Sequence, residues 1–198
     1  MTYQIRDRIS IEHQQYTIER CTDWEELFNP NTHGIQAVEA STACCRGFYC
    51  DYAILDRQLL LMNLNIELNM SDRLKFKYGR SERLLFGKSP ELSNARVGTS
   101  FIYRDLCHSI PYSGGLLIVN GDIMMGLEIR IHYPIYVREK VCEAVFELGH
   151  LISIVDYSDR MMETRNQIIK SSKITSPLDS FTQSIEDKIL AEYFYHQY

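Results

Sequence analysis

The sequence predicts an α+β fold: a mainly antiparallel β-sheet, arranged as a barrel or sandwich of hairpins, with one or two helices at the C-terminal end. Three observations predict it. Apolar residues alternate with polar ones in several short stretches, the period of a half-buried strand. These stretches come in pairs joined by two-residue turns. After residue 157 the apolar spacing changes to a helical period. With 198 residues, 45% hydrophobic and 24% charged, the chain is long enough for one sizeable core. The expected division is a β-rich domain over 1–157 and a helical extension over 158–198, packed on that domain or on a partner.

The elements follow in order. Residues 4–18 alternate as a first hairpin, with Ile5, Asp7, Ile9 and Ile11 on one parity, Tyr16 and Ile18 on the return, and His13-Gln14 near the turn. Asp23-Trp-Glu-Glu-Leu-Phe28 suits a short helical turn capped by Thr22 or Asp23, broken by Asn29 to Gly34. A long hairpin is expected over 41–55 and 58–68, turning at Asp56-Arg57. Its return strand places Leu60, Met62, Leu64, Ile66 and Leu68 on one face and Asn63, Asn65 and Glu67 on the other. Neither face of the outgoing strand is purely polar, so that strand is expected to be central.

Arg73 to Tyr78 alternates as a further strand, with a turn at 79–82 and a return at 83–86; 87–100 reads as loop. Leu116 to Val119 has the composition of a buried strand ending in the turn pair Asn120-Gly121, with Leu127 to Ile131 as its partner. Val141 to Glu147 and His150 to Val155 form a third hairpin around Leu148-Gly149. Ser158 to about Lys170 suits a helix. Residues 171–183 read as a linker, and Ser184 can cap a last helix with Ile185, Ile189, Leu190, Tyr193 and Phe194 on its apolar face.

Three pieces carry a family resemblance: the hairpin at 4–18; Thr42-Ala-Cys-Cys-Arg-Gly-Phe-Tyr with Tyr52-Ala-Ile and its return strand; and Tyr112-Ser-Gly-Gly-Leu-Leu-Ile through Met124-Met-Gly-Leu to the hairpin at 141–155. Together they resemble a group of small uncharacterised bacterial proteins with an Arg-Gly-aromatic β-hairpin. The chain departs from the group's pattern in having Cys45 where the group has Trp and Arg57 where it has Gly. The resemblance implies the scaffold and no activity. Residues 73–88 and the tail after 157 look like additions to it.

Several classes of function are disfavoured by the residues themselves. The net charge is −5, which argues against wholesale nucleic-acid binding. The N-terminus lacks the apolar region of an export signal, no apolar run reaches the length of a membrane span, and the six cysteines are too sparse for a disulfide scaffold. A cytoplasmic protein with reduced thiols is expected. Cys44 and Cys45 are neighbours and would point to opposite sides of a strand, so they do not form a metal knuckle; no metal or cofactor is expected. Arg46 reads as a polar residue held by carboxylate or carbonyl groups, and Glu143 and Glu147 as an outer polar face. No phosphate loop, dinucleotide fingerprint, nucleophile elbow or zinc-protease motif occurs.

Two segments remain as candidate binding sites. Residues 73–88 hold six basic residues, Arg73, Lys75, Lys77, Arg80, Arg83 and Lys88, against one acid. Their local charge of +5 leaves −10 on the rest of the chain. Cations with Phe76, Tyr78 and Phe86 suit nucleic acid or another anion, although strand alternation would put rings and cations on opposite faces. The C-terminal aromatics Tyr193, Phe194, Tyr195 and Tyr198 suit either packing on the sheet or docking on a partner.

The leading expectation is a non-catalytic cytosolic protein-binding module of accessory, inhibitory or immunity type, whose partner is another protein, encoded nearby, or a second copy. A nucleic-acid-associated protein using 73–88 is the first alternative. An enzyme of unrecognised class, built on Cys107-His108 or the Arg46 strand, is the second, and it requires a pocket where those residues converge.

Overall fold

Three tight hairpins and one parallel pairing generate the architecture. The computed structural model describes residues 4–79, 84–94, 98–122, 134–170, 187–191 and 194. β1 (Arg8–Ile11) pairs antiparallel with β2 (Gln14–Cys21). β3 (Phe48–Leu55) pairs antiparallel with β4 (Gln58–Ile66). β9 (Arg138–Glu147) pairs with β10 (His150–Asp156) in the same way. The turns Glu12-His13, Asp56-Arg57 and Leu148-Gly149 all have positive φ at both residues, the twist that suits a two-residue hairpin loop.

These hairpins and β8 (Gly114–Asp122) close a seven-stranded barrel in the order β10, β9, β8, β2, β1, β3, β4 and back to β10. The β1–β3 pair is parallel and the others are antiparallel. Closure confirms the barrel over the sandwich. β5 (Glu91–Leu92), β6 (Phe101–Tyr103) and β7 (His108–Ser109) lie outside it. The free edge of β4 is shared in succession by β10 at Gln58, β7 at Leu60 and Leu61, and β6 at Leu64 to Ile66.

The barrel interior is filled by residues such as Ile9, Ile18, Tyr52, Leu61, Leu64, Ile66, Leu116, Ile118 and Phe146. The mixture of Leu61 with Leu64 corrects the expectation of one apolar face along β4. Asp51 faces Asn63 while Tyr52 faces Leu61, so Met62 is an extra residue. That bulge flips the alternation: Leu59 and Leu61 face inward before it, Leu64 and Ile66 after it. β3 is central, as expected.

Three further expectations change. Arg73 to Tyr78 is not a strand: α2 (Met70–Lys77) is a helix. The Asn69 side chain accepts the Asp72 N–H at 3.0 Å and donates to its carboxylate, while Lys75 and Lys77 sit in the last turn, where they oppose the helix dipole. This local capping outweighs the alternating pattern. Residues 84–86 form no strand either; Leu85 and Lys88 bridge a tight turn. Asn120-Gly121 does not end β8, whose partners are β2 and β9. The expected partner at 127–131 lies outside the described residues.

A second apolar cluster lies on the outer face of β8 and β9. Leu117, Val119 and Val141 meet Ile135 and Val137 of a 3-10 turn (Ile135–Val137), Tyr157, Met161 of α3 (Ser158–Lys170), and Ile189, Leu190 and Phe194. α3, Ile189, Leu190 and Phe194 are therefore packed on the barrel, and both faces of β8 and β9 are buried. Glu143 is buried under this layer with the Tyr157 hydroxyl donating to it at 3.4 Å, which corrects its reading as an outer polar residue; Glu147 is exposed. The expected linker at 171–183 and its cap Ser184 lie outside the described residues. α1 (Trp24–Leu27) is capped by Asp23, as expected.

Candidate functional site

The basic segment is dispersed by its fold. Arg73 pairs with Glu67 at 3.2 Å and Lys75 with Asp72 at 3.2 Å. Lys77 lies one turn after Arg73 on α2, and Lys88 lies in the turn after Phe86; Arg80 and Arg83 are outside the described residues. Phe76 and Phe86 turn toward the body, whereas Tyr78 is exposed. Phe76 packs edge-on against Phe101 at 5.2 Å. Phe86 stacks on His108 at 3.4 Å and meets the edge of His33, which stacks in turn on Phe28. Burial, and then the nearby His33, push the His108 imidazole below its ordinary range. These rings pin the 84–88 turn to the barrel instead of offering open faces to bases.

The C-terminal aromatics are also partly accounted for. Phe194, expected as a partner-binding residue, is buried against Tyr157 at 4.7 Å. Tyr193, Tyr195 and Tyr198 lie outside the described residues.

Arg46 lies before β3, whereas Cys107 and His108 lie at β7. Arg46 precedes β3, donates to the Phe48 carbonyl at 2.7 Å and to the buried Asp7 carboxylate, and lies over the Phe48 ring at 4.6 Å. Asp7 also accepts the Cys50 N–H at 2.7 Å. Burial pushes the Asp7 carboxyl up, against the pull of the Arg46 guanidinium. Gly47 completes this clasp: its φ is +77°, and a Cβ there would lie 2.1 Å from the Val38 carbonyl oxygen. The Arg-Gly-aromatic sequence is thus a structural clasp that ties the chain before β1 to β3.

The thiols are free: Cys21, Cys44, Cys50 and Cys142 are buried, Cys45 and Cys107 exposed. Cys44 and Cys45 lie in a turn and not in a strand, the first buried and the second exposed. Burial pushes Cys21 and Cys142 up to about 11, so both stay protonated at neutral pH and are poor nucleophiles. No cluster of metal-ligating side chains occurs among the described residues. An open hollow of about 650 Å³ between the turn at Asn31 to Gln36 and α2 is lined by Asn69, Ser71, Asp72 and Lys75 and by none of the proposed catalytic residues.

Sequence reasoning missed the outer edge of β10. Arg57, the second residue of the β3–β4 turn, holds φ at +62°, which costs a side-chain-bearing residue about 1–2 kcal/mol. Its guanidinium donates to the Leu151 and Ile152 carbonyls, at the point where β10 leaves β4. Beyond that point, among the described residues, β10 is paired only with β9. Ile152, Ile154 and Val155 are 51%, 40% and 39% exposed there. Between the Arg57 contact and Asp156, which is paired to Lys140, β10 itself carries no charged side chain. A strand edge without Lys or Pro is a template for another strand. The uncharged run His150-Leu-Ile-Ser-Ile-Val is the signal that carried it, but only the barrel's closure reveals which edge is open.

Comparison with protein-family models, curated proteins and solved structures yields no match. No helix among the described residues is long and apolar enough to cross a membrane.

Proposed function

We propose that this protein is a non-catalytic protein-binding module whose β10 edge receives an extended segment of a partner. The observation that carries the reading is the one-sided pairing of β10 beyond Ile152 among the described residues, with apolar side chains exposed along it. Strand addition gives affinity through backbone hydrogen bonds, and flanking side chains give selectivity. The free thiols suit a reducing cytosol. An accessory, inhibitory or immunity-type role, with the partner encoded nearby, fits a molecule whose exposed features are surfaces and not a reactive centre. The inward-turned rings of Phe76 and Phe86 weigh against the nucleic-acid reading.

The test is to purify the tagged chain from its native cell and weigh the assembly by native mass spectrometry. A complex with a second polypeptide is expected, lost on replacing Ile154 and Val155 by Lys. An unassociated monomer, or a complex that the double variant retains, overturns the proposal.

A further inference from the structure

A second surface, sharing no residue with the β10 edge, is created by the helical state of α2. At about 100° per residue, Asp72 and Phe76 point toward the barrel side by side, and Leu74 points directly away from them. Met70 and Tyr78 flank Leu74 at four-residue spacing. The three are 68%, 47% and 68% exposed, whereas Asp72 is buried. The helix therefore carries an apolar ridge on its outer side. Arg73 and Lys77 lie along one flank of that ridge and Lys75 along the other. The ion pairs of Arg73 with Glu67 and Lys75 with Asp72 steady the flanking cations beside it. The acid of this helix is buried, so its outer surface is cationic with an apolar centre.

We propose that α2 docks an acidic amphipathic helix of a partner protein. Residues spaced by four make a ridge that packs into the groove of a facing helix. Met, Leu and Tyr supply contact area, with Met adapting to irregular surfaces. Carboxylates on the partner's flanks would meet Arg73, Lys77 and Lys75, which fixes both the charge and the orientation of the partner. A nucleic-acid backbone would need cations, not Leu74, at the centre of contact. The inference does not rest on the β10 reading.

The experiment titrates the full chain against a fluorescent amphipathic peptide of about 18 residues, long enough to hold helix. The peptide has a leucine face flanked by Glu; a control has Lys in place of Glu. The Glu peptide is expected to bind, more weakly at raised salt, and the Lys peptide is not. Leu74→Asp, at a half-exposed position, and Lys77→Glu should each weaken binding by about tenfold with unchanged circular dichroism. Ile154→Lys should leave it unaltered, which separates this surface from the β10 edge. Absence of binding overturns the proposal, as does equal binding of the Lys peptide or of both α2 variants. So does preference for a single-stranded oligonucleotide or phosphatidylglycerol vesicles, or self-association through Leu74 that excludes the peptide.

Discussion

β8 and β9 are covered on both faces, but by two different devices. Their inner face is sealed by a closed ladder of strands, and its side chains, Leu116, Ile118, Cys142, Ala144 and Phe146, are uncharged. Their outer face is covered by α3 with Ile189, Leu190 and Phe194, which contribute side chains but no strand pairing. That outer layer includes charge. Arg165 is buried and donates to the Tyr136 and Arg138 carbonyls at 2.6 and 2.9 Å, and Glu143 is buried beneath Tyr157. Burial alone would let a helix slide over Leu117, Val119 and Val141. A guanidinium seated on two carbonyls fixes one position. The barrel is thus specified by its ladder, and the helical layer by a few polar anchors. Such a layer can open while the barrel stays closed.

The strongest way to break this comparison is to make similar cavities in the two cores. Leu64 and Met161 are both fully buried. Leu64→Ala should cost about 2–5 kcal/mol, read from urea unfolding, and lower protection throughout the barrel. Met161→Ala should instead release α3, raising its amide exchange while β3 and β4 keep theirs. Equal loss of protection in β3–β4 and α3 for Met161→Ala would mean that one cooperative core spans both layers.

A smaller effect is expected for Arg165→Met. The substitution removes two charge-assisted hydrogen bonds, but it also relieves a buried cation, whose pKa burial has lowered. The net cost should be about 1–3 kcal/mol, confined to α3 and the turn at Ile135 to Val137. Unchanged exchange in α3 would show that apolar contact alone positions the helix.

The same contrast explains what could be read in advance. The β3–β4 hairpin was legible because alternation and the Asp56-Arg57 turn are local, and α3 because its period is local. The flip at Met62 was not, because a bulge depends on which strands share the edge of β4. Glu143 followed its parity to the outer face, but only the packing of α3 shows that this face is buried. For the candidate surfaces, Arg73 to Tyr78 alternates like a strand, and the caps Asn69 and Asp72 decide for helix. That reversal puts Leu74 on the exposed side of the helix. The β10 edge was illegible because it depends on where Gln58 and Arg57 stop the ladder, a property of the closed barrel and not of β10.

The smallest effect concerns the start of the outer layer. Asp156 precedes α3, accepts hydrogen bonds from the Ser158 N–H and hydroxyl, and pairs with Lys140. Partial burial raises its carboxyl, but the Lys140 hydrogen bond and those from Ser158 outweigh it and hold the group below its ordinary 3.8. A depressed folded value means that the native state binds fewer protons than the unfolded state in this range. The contribution is therefore complete above 3.8 and disappears as pH falls through the lower folded value. Acidification across that window should loosen the first turn of α3, seen as a pH-dependent rise in amide exchange near Ser158 relative to β3–β4. Asp156→Asn should remove that dependence. If Ser158 and the β3–β4 amides respond with one midpoint in both proteins, the outer layer has no acid-sensitive anchor of its own and opens only with the barrel.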